Sequence, residues 1–248
     1  MQTILLILLI ITILYFLKKE KEHKATEESF LSIVNHVFRT PLTRIKWQSE
    51  SFDPSASRET QLETARNISD GINHVLSIID TLSGIKDVQN QASYDLKAVS
   101  LREITEGSIS RYRTLLNEKK ISLTVPTFTD MPLLTLDTKK ISFVIDALLS
   151  NAIWYSKENG NIKIDSIIKN NKLIISVSDN GIGLSGKDHR NLYRRFYRGD
   201  VATKMNTDGM GLSLHLAKEI IRRHHGSVEA SSTGRDKGSV FSITLPLN

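Results

Sequence analysis

The sequence predicts an α+β protein made of an apolar N-terminal helix, an antiparallel helical hairpin and a C-terminal α/β sandwich. Three observations carry this prediction. The chain opens with an uncharged apolar run, two segments before position 90 show helical spacing of apolar residues, and both strand and helix patterns occur after it. We therefore predict three parts, residues 1–17, 18–90 and 91–248.

The composition limits the class of protein without fixing it. Hydrophobic residues make up 40% of the chain, which is enough for a buried core, and the formal net charge is +6. The Lys and Arg residues are spread along the chain, so we do not expect a nucleic-acid partner. The chain has no cysteine, which excludes disulfides and thiolate metal sites.

Residues 1–17 form the apolar run and predict a membrane anchor. This length is at the lower limit for a spanning helix. A cleaved signal peptide is the alternative, but no basic residue precedes the run and no small-x-small cleavage site follows it. Lys18, Lys19 and Lys21 follow directly, and this positive flank predicts that the long C-terminal part lies on the cytoplasmic side.

Two helices are predicted between residues 18 and 90. In the first, five apolar residues recur at helical spacing and His36 falls on the other side, so we expect His36 to face water. The second carries a near-heptad apolar stripe from Leu62 to Leu82 that one short hairpin cannot fully cover. We therefore expect two copies of the chain to pair into a four-helix bundle.

From position 91 the patterns predict a sheet with helices packed on one face. We expect helices at 101–119, 138–155 and 212–224, and strands near Val99 and at 121–125, 133–136, 162–168, 172–178, 227–231 and 239–245. The strands at 162–168 and 172–178 flank Asn170 and Asn171 as a predicted hairpin. Between the second of these strands and the last helix we expect a mobile, basic stretch that contains glycine.

Two glycine loops mark the stretch that we expect to hold a nucleotide. A carboxylate at a strand end can accept from an exocyclic amine, and glycines let the backbone approach a base or a phosphate. Free amides at the start of the following helix would face the phosphates. The residues concerned are Asp179, Gly181, Gly183, Gly209, Gly211 and Leu212.

A dinucleotide fingerprint is an alternative interpretation of the first loop. Residues 181–186 match the spacing Gly-x-Gly-x-x-Gly after a strand. This interpretation leaves the second glycine loop and the upstream Asn151 unexplained, and no run of βαβ units surrounds the motif. No Walker-type loop and no protein-kinase motif set occurs in the sequence.

Five sequence motifs resemble, in order, those of the sensor histidine kinases of two-component systems. Residues 30–42 resemble the phosphoacceptor box, 148–152 the N box, 179–183 the first glycine box, 195–198 the F box and 209–214 the second glycine box. The resemblance covers nearly everything after residue 17. It implies a HisKA-type dimerisation hairpin followed by a GHKL, or Bergerat-type, ATP-binding domain.

The resemblance implies a role for each matching residue. His36 would take the γ-phosphoryl group of ATP, and Thr40 would align a water for dephosphorylating a partner regulator. Asn151 would bind Mg²⁺, Asp179 the adenine amine, and Arg198 the phosphate oxygens. The remaining predicted nucleotide-binding residues are Tyr155, Gly181, Gly183, Gly209, Gly211 and Leu212.

The implied protein is a homodimeric, single-pass kinase of the bacterial cytoplasmic membrane. It would use ATP and Mg²⁺ to phosphorylate His36 and then pass the phosphoryl group to an aspartate in the receiver domain of a response regulator.

Three departures leave a second function open. Val37 replaces the usual acidic residue, Ala147 replaces a polar residue, and Trp154 replaces a lysine. The alternative is therefore an ATP-binding scaffold or pseudokinase, with weak or lost phosphotransfer, that docks or dephosphorylates a regulator. A third possibility, a GHKL ATPase of the gyrase or chaperone kind, is disfavoured by the hairpin and the predicted anchor.

Overall fold

The computed structural model describes residues 32, 34–35, 37–89, 94–125, 131–206 and 209–247. The chain divides into two compact units, Met1–Leu76 and Ser77–Asn248. The domain boundary predicted at position 90 stays a prediction. In the part of the chain that the structure describes, no helix combines the length and apolarity needed to cross a membrane. The predicted anchor at 1–17 lies outside that part.

The first unit contains helix α1, residues 37–50, and most of helix α2, Arg58–Gln89. The two helices approach closely at Gly71, where an added Cβ atom would lie 2.5 Å from a side-chain carbon of Ile45. The turn between the helices is closed by side chains. Asp53 Oδ1 accepts from the backbone nitrogen of Ser55 at 2.8 Å, which forms an Asx turn of the kind that aspartate favours.

The described part of the second unit holds the end of α2 and a mixed set of elements. Its helices are α3 (Leu101–Glu118), α4 (Thr138–Tyr155), α5 (Gly186–Asn191), α6 (Asp200–Met205) and α7 (Ser213–Arg223). Its strands are β1 (Leu96–Val99), β2 (Ser122–Thr124), β3 (Leu134–Asp137), β4 (Asn161–Lys169), β5 (Lys172–Asp179), β6 (Ser227–Ser231) and β7 (Ser239–Pro246).

Five of these strands form one sheet in the order β2-β4-β5-β7-β6. Strand β2 runs parallel to β4, and the other neighbours are antiparallel. Helices α4 and α7 pack against this sheet, and α3 packs against α4. The predicted sandwich of a sheet and helices is confirmed, and the structure adds that the sheet is mixed.

The core lies between the sheet and these helices. Ile162, Ile164, Leu173 and Ile175 alternate along β4 and β5, and each is at most 1% exposed. Burying such a side chain contributes about 1.5–3 kcal/mol. The alternation leaves the opposite sheet face to more polar side chains such as Lys163, Asp165, Ser176 and Ser178, because successive side chains along a strand point to opposite faces.

Two features differ from the sequence prediction. Strands β1 and β3 pair with each other in a separate two-stranded sheet. The stretch expected to be a loop contains the short helices α5 and α6. Helix α5 starts at a capping box in which Ser185 and Asp188 exchange hydrogen bonds. A six-residue helix is too short to show the apolar periodicity from which the longer helices were predicted.

Candidate functional site

The first glycine loop follows the end of β5 and packs against the C-terminal end of α4. Gly181 N donates to Asp179 Oδ1 at 2.8 Å, and Ile182 N donates to the carbonyl oxygen of Tyr155 at 3.2 Å. A Cβ atom on Gly181 would lie 2.1 Å from that same carbonyl oxygen. Glycine is required at this position because the end of α4 leaves no room for a side chain.

The loop between β6 and β7, residues 232–238, packs on the first glycine loop. This contact was not predicted from the sequence. Gly183 has φ +64°, and a Cβ atom on it would lie 2.0 Å from the carbonyl oxygen of Gly234. Gly238 N donates to the carbonyl oxygen of Gly181 at 3.1 Å. The sequence signal for this loop is the pair of glycines directly ahead of β7.

Asp179 is the carboxylate at the end of β5. Burial raises its pKa, while hydrogen bonds from the backbone N–H groups of Gly181 and Ser239 lower it. These two donors fix the orientation of the carboxylate in a partly buried position. A carboxylate held in this way can accept a hydrogen bond from a planar amine-bearing ring with little competition from water.

Helix α4 carries Asn151 and Tyr155 one turn apart, so they lie on the same side of the helix. Asn151 Nδ2 is buried and has no hydrogen-bond partner among the described residues. An unsatisfied buried amide costs about 1–3 kcal/mol. A hydrogen-bond acceptor at this side of α4 would remove that cost, so the unsatisfied Asn151 nitrogen fits a phosphate oxygen.

The second glycine loop packs directly on the F box. Phe196 N donates to the carbonyl oxygen of Gly211 at 3.0 Å. Gly211 has φ +67°, and a Cβ atom on it would lie 2.6 Å from the carbonyl oxygen of Tyr197. A Cβ atom on Gly209 would lie 3.5 Å from the guanidinium group of Arg198. These contacts hold a cationic side chain beside the glycines that precede α7.

Arg198 joins the second glycine loop to Tyr155, whose carbonyl oxygen contacts the first glycine loop. Its side chain is hydrogen-bonded to Tyr155, whose hydroxyl pKa is raised by burial and lowered by Arg198. Its Nη2 also donates to the carbonyl oxygen of Ala202 at 3.1 Å. The structure thus links three separate sequence segments through direct contacts, and the predicted residues that it brings together are Asp179, Gly181, Gly183, Tyr155, Arg198, Gly209 and Gly211.

The remaining predicted residues are placed differently. Leu212 precedes α7 and its side chain is fully buried, so only its backbone is available to a ligand. Thr40 lies on α1 in the first unit and is exposed. His36 lies outside the described residues, and its exposure and role stay predictions.

Two of the three departures are buried. Val37 on α1 is 4% exposed and Ala147 on α4 is 4% exposed. Asp146, the acidic neighbour of Ala147, forms an ion pair with Arg111 of α3 at 2.9 Å. Arg111 Nη2 also donates to Ser142 at 2.7 Å. The Asp146 carboxylate therefore takes part in a contact between α3 and α4.

The third departure, Trp154, is 40% exposed. The ammonium group of Lys119 lies 5.4 Å from the centroid of its ring. Lys119 Nζ also donates to the carbonyl oxygens of Ile153 and Trp154 at 2.7 and 3.1 Å. Lys119 thus caps the C-terminal end of α4. The pKa of Lys119 is lowered by its burial.

A cation at this site would not be held by a cluster of protein carboxylates. Within the described ranges, no group of three or more His, Asp and Glu residues is arranged to hold a metal ion. Asn151 is the predicted Mg²⁺ ligand, and most of the coordination would come from phosphates and waters, as Mg²⁺ prefers.

Comparison with known proteins identifies related chains. Residues 136–248 match the family described as histidine kinase-, DNA gyrase B- and HSP90-like ATPases. The sensor histidine kinase WalK of Bacillus subtilis is 30% identical over 96% of this chain and 39% of its own length. The sensor-like histidine kinase SenX3 of Mycolicibacterium smegmatis is 27% identical over 93% of this chain and 61% of its own length. The chain therefore spans less than two thirds of the length of these relatives.

Solved structures show the same fold. The histidine kinase AdeS of Acinetobacter baumannii superimposes with a TM-score of 0.59 and 22% identity, over 86% of this chain and 98% of that chain. The histidine kinase ThkA, solved in complex with the response regulator TrrA, has a TM-score of 0.62 and 20% identity, over 93% of this chain and 65% of that chain.

Proposed function

We infer the function of this chain from the match of residues 136–248 to the histidine kinase-, DNA gyrase B- and HSP90-like ATPases and from the similarity of the chain to sensor histidine kinases. From this premise we propose that the protein is an ATP-dependent protein-histidine kinase of a two-component system. The observation that carries the proposal is the set of contacts joining the end of α4 to both glycine loops through Tyr155 and Arg198.

The proposed site binds ATP between these loops. Asp179 accepts a hydrogen bond from the adenine amine, and Gly181 and Gly183 keep the backbone close to the base. Arg198 and the amides at the start of α7 face the phosphates. Asn151 would hold Mg²⁺ through its amide oxygen, and the cation would neutralise charge on the phosphate oxygens.

The proposed phosphoacceptor is His36. A neutral imidazole nitrogen attacks the γ-phosphorus, the bond to the β-phosphate bridging oxygen breaks, and ADP leaves. The phosphorylated ring gives its N–H proton to solvent. In the second transfer an aspartate oxygen of the receiver domain attacks the phosphorus, the N–P bond breaks, and the histidine ring takes a proton back from solvent. Thr40 is exposed on α1. It would align a water molecule that hydrolyses the phosphoryl group on the regulator, so that the protein also acts as a phosphatase.

We further propose a homodimer anchored in the bacterial cytoplasmic membrane. In the first unit, large apolar side chains are exposed on α1, on the turn and on the first part of α2, and only those on α2 belong to the predicted apolar stripe. Covering them with a second copy would form a four-helix bundle and remove apolar surface from water. They are Leu42, Trp47, Phe52, Leu62, Ile72 and Leu76. Residues 1–17 are the proposed anchor.

The alternative function is an ATP-binding scaffold or pseudokinase that docks or dephosphorylates a regulator. The observation that favours it is the environment of the departures. Val37 is buried where an acidic residue would orient the histidine, and Asp146 is paired with Arg111. A positioned acid or base contributes about 10²- to 10⁴-fold in rate, so their absence lowers the proposed transfer rate without removing the nucleotide site.

Transfer of label from ATP tests the two functions. The full chain is incubated with Mg²⁺ and ATP labelled on the γ-phosphate, beside the variants His36→Ala and Asp179→Asn. A kinase gives acid-labile label that His36→Ala loses and that Asp179→Asn reduces when ATP is held near the concentration that half-saturates the wild type. Label that persists in His36→Ala contradicts the assignment of His36, and ATP binding without label over hours favours the scaffold.

A further inference from the structure

Asp137, the last residue of β3, holds the N-terminal end of α4 in place. Its Oδ1 accepts from Lys140 N at 3.0 Å as the helix N-cap. Its Oδ2 accepts from Asp95 N at 3.0 Å. Its own backbone N–H donates to Nε2 of His224 at 3.0 Å. One residue that is 5% exposed therefore ties together the segment before β1, the start of α4 and the end of α7.

His224 makes this contact only as a neutral ring. Its Nδ1 lies 2.8 Å from the carbonyl oxygen of Ile220, an acceptor, so Nδ1 carries the proton. Its Nε2 must then accept from Asp137. A second proton on Nε2 would face the Asp137 N–H and break the bond. Because His224 is 4% exposed, the broken bond would leave a donor and a charge buried together.

The surroundings of the ring contain charges of both signs. Burial is the largest cause of the lowered pKa of His224, and the Asp137 carboxylate opposes it. The Tyr94 ring lies 5.4 Å from the His224 ring, and the Lys140 ammonium lies 4.7 Å above the Tyr94 ring. The titratable and charged groups that act on this pair of rings are Asp137, Lys140, His225, Glu219, Arg222 and Arg223.

We propose that the hydrogen bond from Asp137 to His224 positions α4 and α7 for nucleotide binding, and that protonation of His224 releases it, so that ATP affinity falls in mild acid. The inference rests on the proposed ATP-binding function. Helix α4 carries Asn151 and Tyr155, and α7 begins two residues after Gly211. The contact between Asp137 and His224 joins the N-terminal end of α4 to the C-terminal end of α7. The proposed ligand lies at the other end of each helix.

The sign of the pH dependence follows from the direction of the shift. The unfolded chain has a histidine with the ordinary value of 6.5, and the folded chain has a lower pKa. Between these two values the unfolded state binds more protons than the folded state. The stabilisation by neutral His224 is therefore fully present above pH 6.5 and is lost as the pH falls through the folded pKa.

The variant His224→Gln tests the inference. Its amide oxygen reaches the position of Nε2 and accepts from Asp137 without titrating. The control His225→Asn removes the neighbouring exposed ring, and asparagine tolerates the φ of 59° found there. The full-length wild type and both variants are compared by calorimetric ATP binding and by thermal unfolding without nucleotide, at several values from about pH 8 to about pH 5.5.

We expect wild type and His225→Asn to lose roughly five-fold more ATP affinity in acid than His224→Gln, the factor for one hydrogen bond of about 1 kcal/mol. Their unfolding midpoints should also fall more steeply than that of His224→Gln. Matching pH profiles for wild type and His224→Gln would overturn the inference.

Two further outcomes remain distinguishable. If no protein binds ATP at any pH, the proposed function fails, and the nucleotide-free unfolding profiles still decide the role of His224. If His224→Gln does not fold, the ring of His224 is titrated by NMR in wild type. An apparent pKa well below 6.5 supports the inference, and an unshifted value overturns it.

Discussion

The glycine loops of the proposed nucleotide site, in the second unit, and helix α1, in the first unit, differ in how strictly the structure determines the residue at each position. A Cβ atom added at Gly183, or at Gly238 in the loop that packs on the first of these loops, would lie 2.0 Å from a backbone carbonyl oxygen, which is too close for any side chain. On α1, Val37 is one buried side chain in a regular helix. A glycine in these loops cannot be replaced without a shift of the backbone, whereas Val37 can be replaced by another apolar residue without one. Nucleotide binding is therefore the more constrained half of the proposed function, and phosphoryl transfer the less constrained half.

The largest effect is expected from Gly183→Ala. A Cβ atom there would lie 2.0 Å from the carbonyl oxygen of Gly234, at φ +64°. We expect unfolding to become easier by about 3 kcal/mol and ATP binding to be lost. Gly186→Ala is the control, because its Cβ atom would meet only the Arg190 side chain at 3.9 Å. Chemical denaturation measures the free energy of unfolding of each variant. Equal values for Gly183→Ala and Gly186→Ala would contradict the packing argument.

Asp179→Asn should have the next largest effect, on binding. Replacing the carboxylate by an amide weakens the hydrogen bond to the adenine amine, and we expect a loss of ATP affinity of roughly 10- to 100-fold. Asp165→Asn is the control, because Asp165 lies on β4 in an exposed pair with Lys163 at 2.7 Å. Calorimetric titration with ATP measures both variants. The role of Asp179 is wrong if both bind as the wild type does.

Val37→Glu should reduce stability. The side chain at this position is 4% exposed, and burying a carboxyl group without a partner costs about 1–3 kcal/mol. Asn35→Glu places the same group at an exposed position of the same helix and should be neutral. Thermal unfolding compares them. If Val37→Glu is as stable as wild type, the side chain is not buried in solution, and its phosphorylation rate then tests the missing carboxylate directly.

The smallest effect is expected from Arg111→Gln. Its ion pair with Asp146 is half exposed on the arginine side, so we expect a loss of about 0.5–1 kcal/mol in stability. ATP affinity should not change, because Asp146 pairs with α3 and is not among the residues of the proposed nucleotide site. A clear loss of ATP affinity would instead give Asp146 a part in the nucleotide site. Denaturation and ATP titration of the same sample provide both results.

The sequence showed the helix spans and the glycine positions, but not the contacts that join them. The helix predicted at 138–155 is the observed span of α4, Thr138–Tyr155, whereas its N-cap, Asp137, was not predicted. The glycine positions are visible in the sequence, but the reason for Gly183 is the carbonyl oxygen of Gly234, far along the chain. That contact forms only when β7 pairs with β5, so no local pattern could reveal it.

Photolabelling with an azido-adenosine analogue of ATP tests most directly whether α4 and the two glycine loops form one adenine site. The full chain is labelled with Mg²⁺ present, digested, and the modified peptides are sequenced by mass spectrometry. We predict label at residues 151–155 or 179–183 that excess ATP removes and Asp179→Asn greatly reduces. Label elsewhere in the chain, or label that excess ATP does not displace, would contradict the proposed site.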